Sequence, residues 1–116
     1  MNQSSPIYRP RHPRFASDFE VRVVRVNHAD GQSLEGGLAD FSQSGARIVL
    51  NQPLPTGERI SLRIPALPHN EMTLSATVAW SERTSHGRYQ TGCTLSAELT
   101  PEQLKFLQHL AAMQPV

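Results

Sequence analysis

Two short polar segments contain the side chains of this chain whose types and spacing could do chemistry. The first is basic: Arg9, Arg11 and Arg14 fall close together, and residues 1–17 contain no acidic side chain. A planar guanidinium group donates two parallel hydrogen bonds to a phosphate or to a guanine edge, which an ammonium group cannot do. This basic N-terminal segment, called the arm below, could therefore bind an anion. The alternative interpretation is a solvated, extended tail.

The second segment, residues 40–45, reads Asp-Phe-Ser-Gln-Ser-Gly. Asp40 and Ser42 could bind a ligand that offers hydrogen-bond donors. The same side chains could instead brace a tight turn by bonding to its backbone, with Gly45 adopting a positive φ. The spacing of these residues leaves both interpretations open.

The other reactive side chains form no recognisable constellation. No two histidines have the spacing of a helical metal site, and a lone cysteine excludes an internal disulfide and a multi-thiolate metal site. We therefore expect no metal and no enzymatic activity, although a hydrolytic triad of Ser42, Asp40 and a histidine stays open. Cys93 and Trp80 fall on apolar strand faces, so we expect both in the core, with a stacking platform as the alternative for Trp80.

Length, composition and charge bound the class of protein. The chain has 116 residues, of which 38% are hydrophobic and 6% aromatic, and its formal net charge is +1. This size predicts one domain with a modest core. All ten acidic side chains lie after residue 17, so a basic arm precedes a slightly acidic body. No apolar run is long enough to span a bilayer and the N-terminus lacks the apolar core of a secretory signal, so we expect a cytoplasmic protein.

Alternation of apolar and polar residues predicts six short strands. They are expected at about residues 19–26, 34–41, 46–50, 60–64, 72–80 and 89–95. A phase slip at Val23-Val24 predicts a β-bulge within or near the first strand, and Asp30-Gly31 and His86-Gly87 are turn signals. Six strands at this spacing favour an antiparallel barrel or sandwich, and closure into a barrel would remove exposed edges.

One helix is expected after the last strand. Thr100 is suited to cap it, Pro101 to be its first residue, and Gln103 to complete a capping box. Apolar side chains then recur at helical spacing and should pack against the barrel, at positions 104, 107, 110 and 111. We predict a flexible basic arm over residues 1–14 and a single domain over residues 15–113, with its helix from about residue 100.

The two polar segments, in this order and followed by these strands, resemble the signatures of the PilZ domain family. That family carries RxxxR near its start and (D/N)xSxxG further along. Residues 40–45 match the second signature, and Arg14 matches the last arginine of the first. Pro10 occupies the place of the first arginine, and Arg9 and Arg11 flank that place. The likeness covers about residues 8–112.

The resemblance implies a mainly β fold, a six-stranded antiparallel split β-barrel with one C-terminal α-helix, in a bacterial protein. It implies a receptor that binds the messenger cyclic di-GMP, needs no cofactor besides that ligand, and relays the signal to an unidentified effector protein. From the apolar runs and the slightly acidic body we further expect no membrane insertion and no nucleic acid polymer as partner, and we expect a monomer or weak dimer. The binding residues carried over by position, or placed beside the first signature, are Arg9, Arg11, Arg14, Asp40, Ser42 and Gly45.

Within that implied site, guanidinium groups suit the phosphates and the N7/O6 edge of guanine, whereas Asp40 suits its N1 and N2 donors. We expect the arm to be disordered alone and to fold across the barrel when the ligand binds. One alternative, favoured by Pro10, is a PilZ-like adaptor that does not bind the nucleotide and acts by protein–protein interaction. Another is a barrel that binds single-stranded nucleic acid, which would need a basic groove with exposed aromatic side chains.

Overall fold

The computed structural model of the chain describes residues 12–28, 31–67 and 70–113, so the arm residues Arg9, Pro10 and Arg11 lie outside the described ranges. Six strands are followed by one helix in the described part of the chain, as the sequence predicts. In chain order, these elements are β1 (Phe15–Arg25), β2 (Ser33–Phe41), β3 (Gly45–Leu50), β4 (Arg59–Leu67), β5 (Asn70–Arg83), β6 (Tyr89–Leu95) and α1 (Pro101–Ala112).

The strands form a closed antiparallel barrel in the order β1-β2-β3-β6-β5-β4, and β4 pairs with β1 to complete the circle. Closure gives each strand two hydrogen-bonded neighbours, which avoids the open edges of a flat sheet. The predicted fold class, a mainly β barrel of six antiparallel strands with a C-terminal helix, is confirmed.

Inward-facing side chains at alternate positions of the strands fill the barrel, as the two-residue period of a strand requires. Val23, Ile48 and Leu62 have no exposed surface, and Leu38 and Val78 are 1% exposed. Burying a side chain of this size contributes about 1.5–3 kcal/mol relative to leaving it in water. This core is therefore the main source of the barrel's stability.

A register shift interrupts β1, as the phase slip predicts, but it does not lie at Val23-Val24. Both residues pair in regular register with β2, and the shift in the β1–β2 ladder lies between Ala16 and Phe19. Val23 is fully buried, whereas Val24 is half-buried on the opposite face. The doubled valine therefore reflects an apolar side chain on the outer face of a regularly paired part of β1.

A bulge in β2 reverses the alternation of its side chains. At Ala39, β2 advances two residues, from Leu38 to Asp40, while its partner β3 advances one. One extra residue transfers the following side chains to the other face of the sheet. Leu38 therefore points into the core, whereas Asp40, two residues later, points outward.

A second bulge has the same effect in β5. At Ala79, β5 advances two residues, from Val78 to Trp80, while β6 advances one. Val78 is buried, but Trp80 is 42% exposed. The prediction that Trp80 lies in the core is wrong, because it assumed unbroken alternation through this point.

The helix begins as predicted. The Thr100 hydroxyl accepts a hydrogen bond from the backbone N–H of Gln103 (3.1 Å), and the Gln103 side chain accepts one from the N–H of Thr100 (2.9 Å). Leu107 is buried at 1% exposure, and Leu104 and Leu110 pack partly against the barrel core. No helix in the described part of the chain is both long and apolar enough to cross a membrane.

Candidate functional site

The two bulges place side chains from four neighbouring strands in one row on the outside of the barrel. Asp40 of β2 is the cross-strand partner of Arg47 of β3. Gly92 of β6 comes next in the row, followed by Trp80 of β5. A carboxylate, a guanidinium group and an indole therefore lie on the same face, with a glycine between the last two.

Gly92 allows the indole of Trp80 to lie against the barrel wall. A Cβ atom added at Gly92 would collide with Nε1, Cε2 and Cζ2 of Trp80, so the ring occupies the space where a side chain would stand. Gly92 is buried beneath it. The outer surface of the indole is left exposed to solvent, where a flat ligand could stack on it.

Asp40 is held between two arginines. Nη2 of Arg14 lies 2.6 Å from Oδ1 of Asp40, and Nη2 of Arg47 lies 2.6 Å from Oδ2. Arg47 also donates from Nη1 to the side-chain oxygen of Gln90 (3.2 Å). Both carboxylate oxygens are therefore engaged, and the three charged groups together carry one positive charge.

Exposure differs strongly among these three charged groups. The Asp40 side chain is 13% exposed and that of Arg47 is 36% exposed, whereas that of Arg14 is 55% exposed. Arg14 also precedes β1, while Arg47 lies within β3. Arg14 is thus the partner of Asp40 that can move with less disturbance of the barrel.

Ser42 braces the turn between β2 and β3. Its hydroxyl oxygen accepts hydrogen bonds from the N–H groups of Gly45 (3.1 Å) and Ser44 (3.3 Å), and its own N–H donates to the Gly45 carbonyl (2.8 Å). The side chain is buried, at 3% exposure. These bonds hold the loop, and the hydroxyl proton is left to donate elsewhere.

Gly45 is needed for close packing. The expectation of a positive φ at this position is wrong, since the positive φ values among the described glycines occur at Gly31, Gly57 and Gly87. A Cβ atom at Gly45 would lie 3.0 Å from the carbonyl oxygen of Cys93 on β6, which is tighter than ordinary contact. A larger residue would push the loop away from β6.

The described end of the arm lies against this loop. Nδ1 of His12 is 3.1 Å from the hydroxyl oxygen of Ser44, and its Nε2 is 3.9 Å from a carboxylate oxygen of Glu98. Together with the Arg14–Asp40 pair, these contacts hold residues 12–14 beside the turn. Because His12 contacts Ser44, while the described contacts of Ser42 are with the turn backbone, the open triad of Ser42, Asp40 and a histidine is not assembled here.

Asp40, its two arginines and Trp80 line one surface depression of about 590 Å³, within the range of ligand sites. Four of the six predicted binding residues line it: Arg14, Asp40, Ser42 and Gly45. The other two, Arg9 and Arg11, lie outside the described residues.

The predicted site left out two residues that line the depression, Arg47 and Trp80, although a stacking role was the alternative for Trp80. Arg47 alternates with the inward-facing Ala46 and Ile48, so strand periodicity alone could have placed it outward, beside the loop. Trp80 carried no such signal, because its outward position depends on the bulge at Ala79.

Comparison with known proteins places the chain in a family. The family model of the PilZ domain matches residues 8–112. The chain belongs to the PilZ domain family. No curated protein matches this PilZ domain at a significant level.

Solved structures share the fold of this PilZ domain at low sequence identity. The PilZ domain with c-di-GMP of YcgR from Escherichia coli aligns with a TM-score of 0.64 and 15% identity, covering 90% of this chain and 89% of that one. The Bacillus subtilis inhibitor of motility, MotI/DgrA, aligns with a TM-score of 0.64 and 18% identity, covering 87% and 49%. The K. pneumonia MrkH–c-di-GMP complex gives 0.64 and 20%, covering 88% and 51%. The chain therefore spans about half the length of MotI and MrkH.

Proposed function

We propose that this PilZ domain binds cyclic di-GMP in the depression around Asp40 and relays the signal to a protein partner without catalysing a reaction. The observation that carries the proposal is the outward row of Asp40, Arg47, Gly92 and Trp80, with Arg14 held against it. Structures of YcgR and MrkH, which share the fold, are described with c-di-GMP. The row would suit several anionic purine compounds, and the c-di-GMP in these related structures is the reason for proposing that compound.

The side chains of the row match the parts of cyclic di-GMP, which has two phosphates and two guanines. Guanidinium groups such as those of Arg14 and Arg47 bind phosphates in a bidentate manner. The carboxylate of Asp40 can accept from N1–H and N2–H of guanine, which adenine lacks. Stacking of a base on an aromatic ring such as that of Trp80 is worth about 1–3 kcal/mol.

A second depression, of about 600 Å³ around Gly37 on the outer face of β1 and β2, suits this ligand less well. Three arginines lie in its walls, but so do four acidic side chains, Asp18, Glu20, Glu35 and Glu71. Four carboxylates beside a doubly negative ligand would repel it. The depression around Asp40 contains one acidic side chain, and that one is flanked by two arginines.

In this proposal the arm completes the site. His12 and Arg14 already lie beside the loop, and we assign Arg9 and Arg11 to further contacts with the phosphates. Ordering the arm over the ligand costs conformational entropy, which the charge-assisted hydrogen bonds must exceed. The ordered arm together with the ligand would form the surface that the partner recognises.

A titration of the purified protein with cyclic di-GMP tests the proposal by calorimetry. We expect binding, and we expect Arg14→Ala and Asp40→Ala each to weaken it at least about tenfold, since hydrogen bonds to charged groups are worth roughly 1.5–3 kcal/mol. Arg59→Ala is the control, because Arg59 is exposed on β4, opposite β3 in the barrel. Absence of binding at high micromolar ligand would instead select the adaptor that works by protein contacts alone.

A further inference from the structure

We infer that the Arg14–Asp40 ion pair acts as a selectivity device that admits only ligands carrying both a guanine edge and a phosphate. This inference rests on the proposed function and adds to it how the site rejects compounds that offer one group alone. It follows from a feature of the unliganded site, namely that the arm's own arginine already occupies the carboxylate that would bind the guanine.

Each oxygen of the Asp40 carboxylate already has a guanidinium partner, and the side chain is only 13% exposed. Arg14 takes Oδ1 and Arg47 takes Oδ2, each at 2.6 Å. Because this carboxylate is largely covered, a guanine that places N1–H and N2–H side by side against it needs the space that one guanidinium group occupies. Arg47 is the less mobile of the two, because it lies within β3 and donates to Gln90 as well.

Arg14 is the group that can be displaced. Its side chain is 55% exposed, and it precedes the first residue of β1. The contact between His12 and Ser44 keeps the backbone of this segment beside the depression when the Arg14 side chain turns away. Displacing it leaves a guanidinium group without its carboxylate beside the depression. A phosphate on the incoming ligand would restore the lost partner.

Binding is then an exchange of partners. The guanine donors replace Arg14 at Asp40, and a phosphate replaces Asp40 at Arg14. A ligand with guanine but no phosphate breaks the ion pair and leaves Arg14 unpaired. A ligand with phosphates but no N1–H and N2–H donors must either place its negative charge beside the carboxylate or draw Arg14 away and leave Asp40 with one partner. Either incomplete ligand disrupts the Arg14–Asp40 ion pair but supplies a new partner to only one of the two side chains.

Three probes separate these cases: cyclic di-GMP, guanosine, which has no phosphate, and cyclic di-AMP, whose adenines lack the N1–H and N2–H donors. Fluorescence of Trp80, the only tryptophan in the chain, reports on the depression it lines, and calorimetry provides an independent affinity. We expect the wild type to bind cyclic di-GMP at least about a hundredfold more tightly than the other two, corresponding to roughly 2.7 kcal/mol.

Two variants should change this selectivity in opposite directions. Arg14→Ala frees Oδ1 of Asp40, so guanosine should bind at least about fivefold more tightly than to the wild type, while cyclic di-GMP binds at least about tenfold more weakly. Asp40→Asn frees Arg14, so cyclic di-AMP should gain affinity while cyclic di-GMP loses it. A side chain with a merely structural role would not raise affinity for one probe and lower it for another.

The controls remove the same charges elsewhere. Arg59→Ala matches Arg14→Ala, and Glu102→Gln, on the exposed face of α1, matches Asp40→Asn; both should bind all three probes as the wild type does. If Arg14→Ala, shown by circular dichroism to be folded, leaves guanosine binding unchanged or weaker, the inference is overturned while the proposed function stands. If the folded wild type does not bind cyclic di-GMP, the proposed function fails and the inference fails with it.

Discussion

The indole of Trp80 on β5 covers the backbone of Gly92 on β6, its cross-strand partner. This contact explains why a large aromatic residue can lie exposed on the barrel wall and still hold a defined position. Gly92, which has no side chain, leaves space for the ring against the strand, and the bulge at Ala79 turns the ring outward over it. Together they give the depression around Asp40 a flat apolar side opposite its charged side.

We predict that Gly92→Ala displaces the indole and weakens binding of cyclic di-GMP at least about fivefold. The added methyl group would occupy the space that the ring now fills, and a shifted ring loses part of a stacking contact worth about 1–3 kcal/mol. Binding by calorimetry and the emission maximum of Trp80 measure both effects. Gly37→Ala is the matched control, because a Cβ there has no neighbour within 4 Å, and unchanged binding by Gly92→Ala would show that the ring makes no contact with the ligand.

Ser42→Ala should destabilise the protein as well as weaken ligand binding. The hydroxyl oxygen accepts from two backbone N–H groups of its own turn, and leaving buried donors unsatisfied costs about 1–3 kcal/mol. Urea unfolding measures the loss, with the exposed Ser96→Ala as control. A variant that loses affinity for cyclic di-GMP at full stability would assign Ser42 to the ligand alone.

The bidentate ion pair of Arg25 and Glu58 predicts a pH-dependent part of the stability. The two bonds are both 2.6 Å, and the side chains are 11% and 10% exposed. The hydrogen bond from Arg25 lowers the pKa of Glu58. Burial acts in the opposite direction, and the positive charge of Arg25 lowers the pKa further. The stabilisation is therefore fully present above the ordinary glutamate pKa, about 4.3, and is lost as the pH falls through the lowered value.

Glu58→Gln tests this dependence. At pH 7 we expect the free energy of unfolding to fall by roughly 1.5–3 kcal/mol, the worth of a hydrogen bond to a charged group. The difference from the wild type should shrink as the pH falls below about 4.3, because the unfolded carboxylate then takes up a proton, and it should vanish once the pH is below the lowered pKa of the folded state. Glu82→Gln, at an exposed position on β5, should show neither effect. A difference that stays constant with pH would contradict the assignment.

Cys93 should be unreactive in the folded protein. It is 6% exposed, and burial raises the pKa of its thiol to about 12. Since the thiolate is the reacting species, a thiol reagent at pH 8 should modify it only after unfolding in denaturant. Rapid modification of the native protein would show that β6 opens readily beside the site.

Much of the architecture could be predicted from the sequence, because it depends on interactions between residues that are close in the chain. The alternation through β3 and the capping box at Thr100 depend on residues within a few positions of one another. Cys93 was also assigned correctly to the core, since β6 pairs regularly with β3 and the extra residue of the bulge beside it belongs to β5. In these segments each local preference agrees with the final fold.

The sequence did not predict on which face of the barrel Asp40 and Trp80 lie. Alternation alone puts Trp80 on the buried face with Val78, and it would put Asp40 on the buried face with Leu38. Both lie outward because bulges at Ala39 and Ala79 shift each strand's register against the next strand of the chain, and the periodicity within a single strand does not show such a shift.

By itself the sequence determined the order of the elements, the two polar segments and the family to which they belong, since composition, spacing and periodicity are properties of neighbouring residues. Only the tertiary structure decided that Arg14 and Arg47 share the two oxygens of Asp40 and that Trp80 lies in the same row. The physical reason is that register between strands is fixed by packing of the whole barrel, and a shift of one residue changes which side chains meet on its surface.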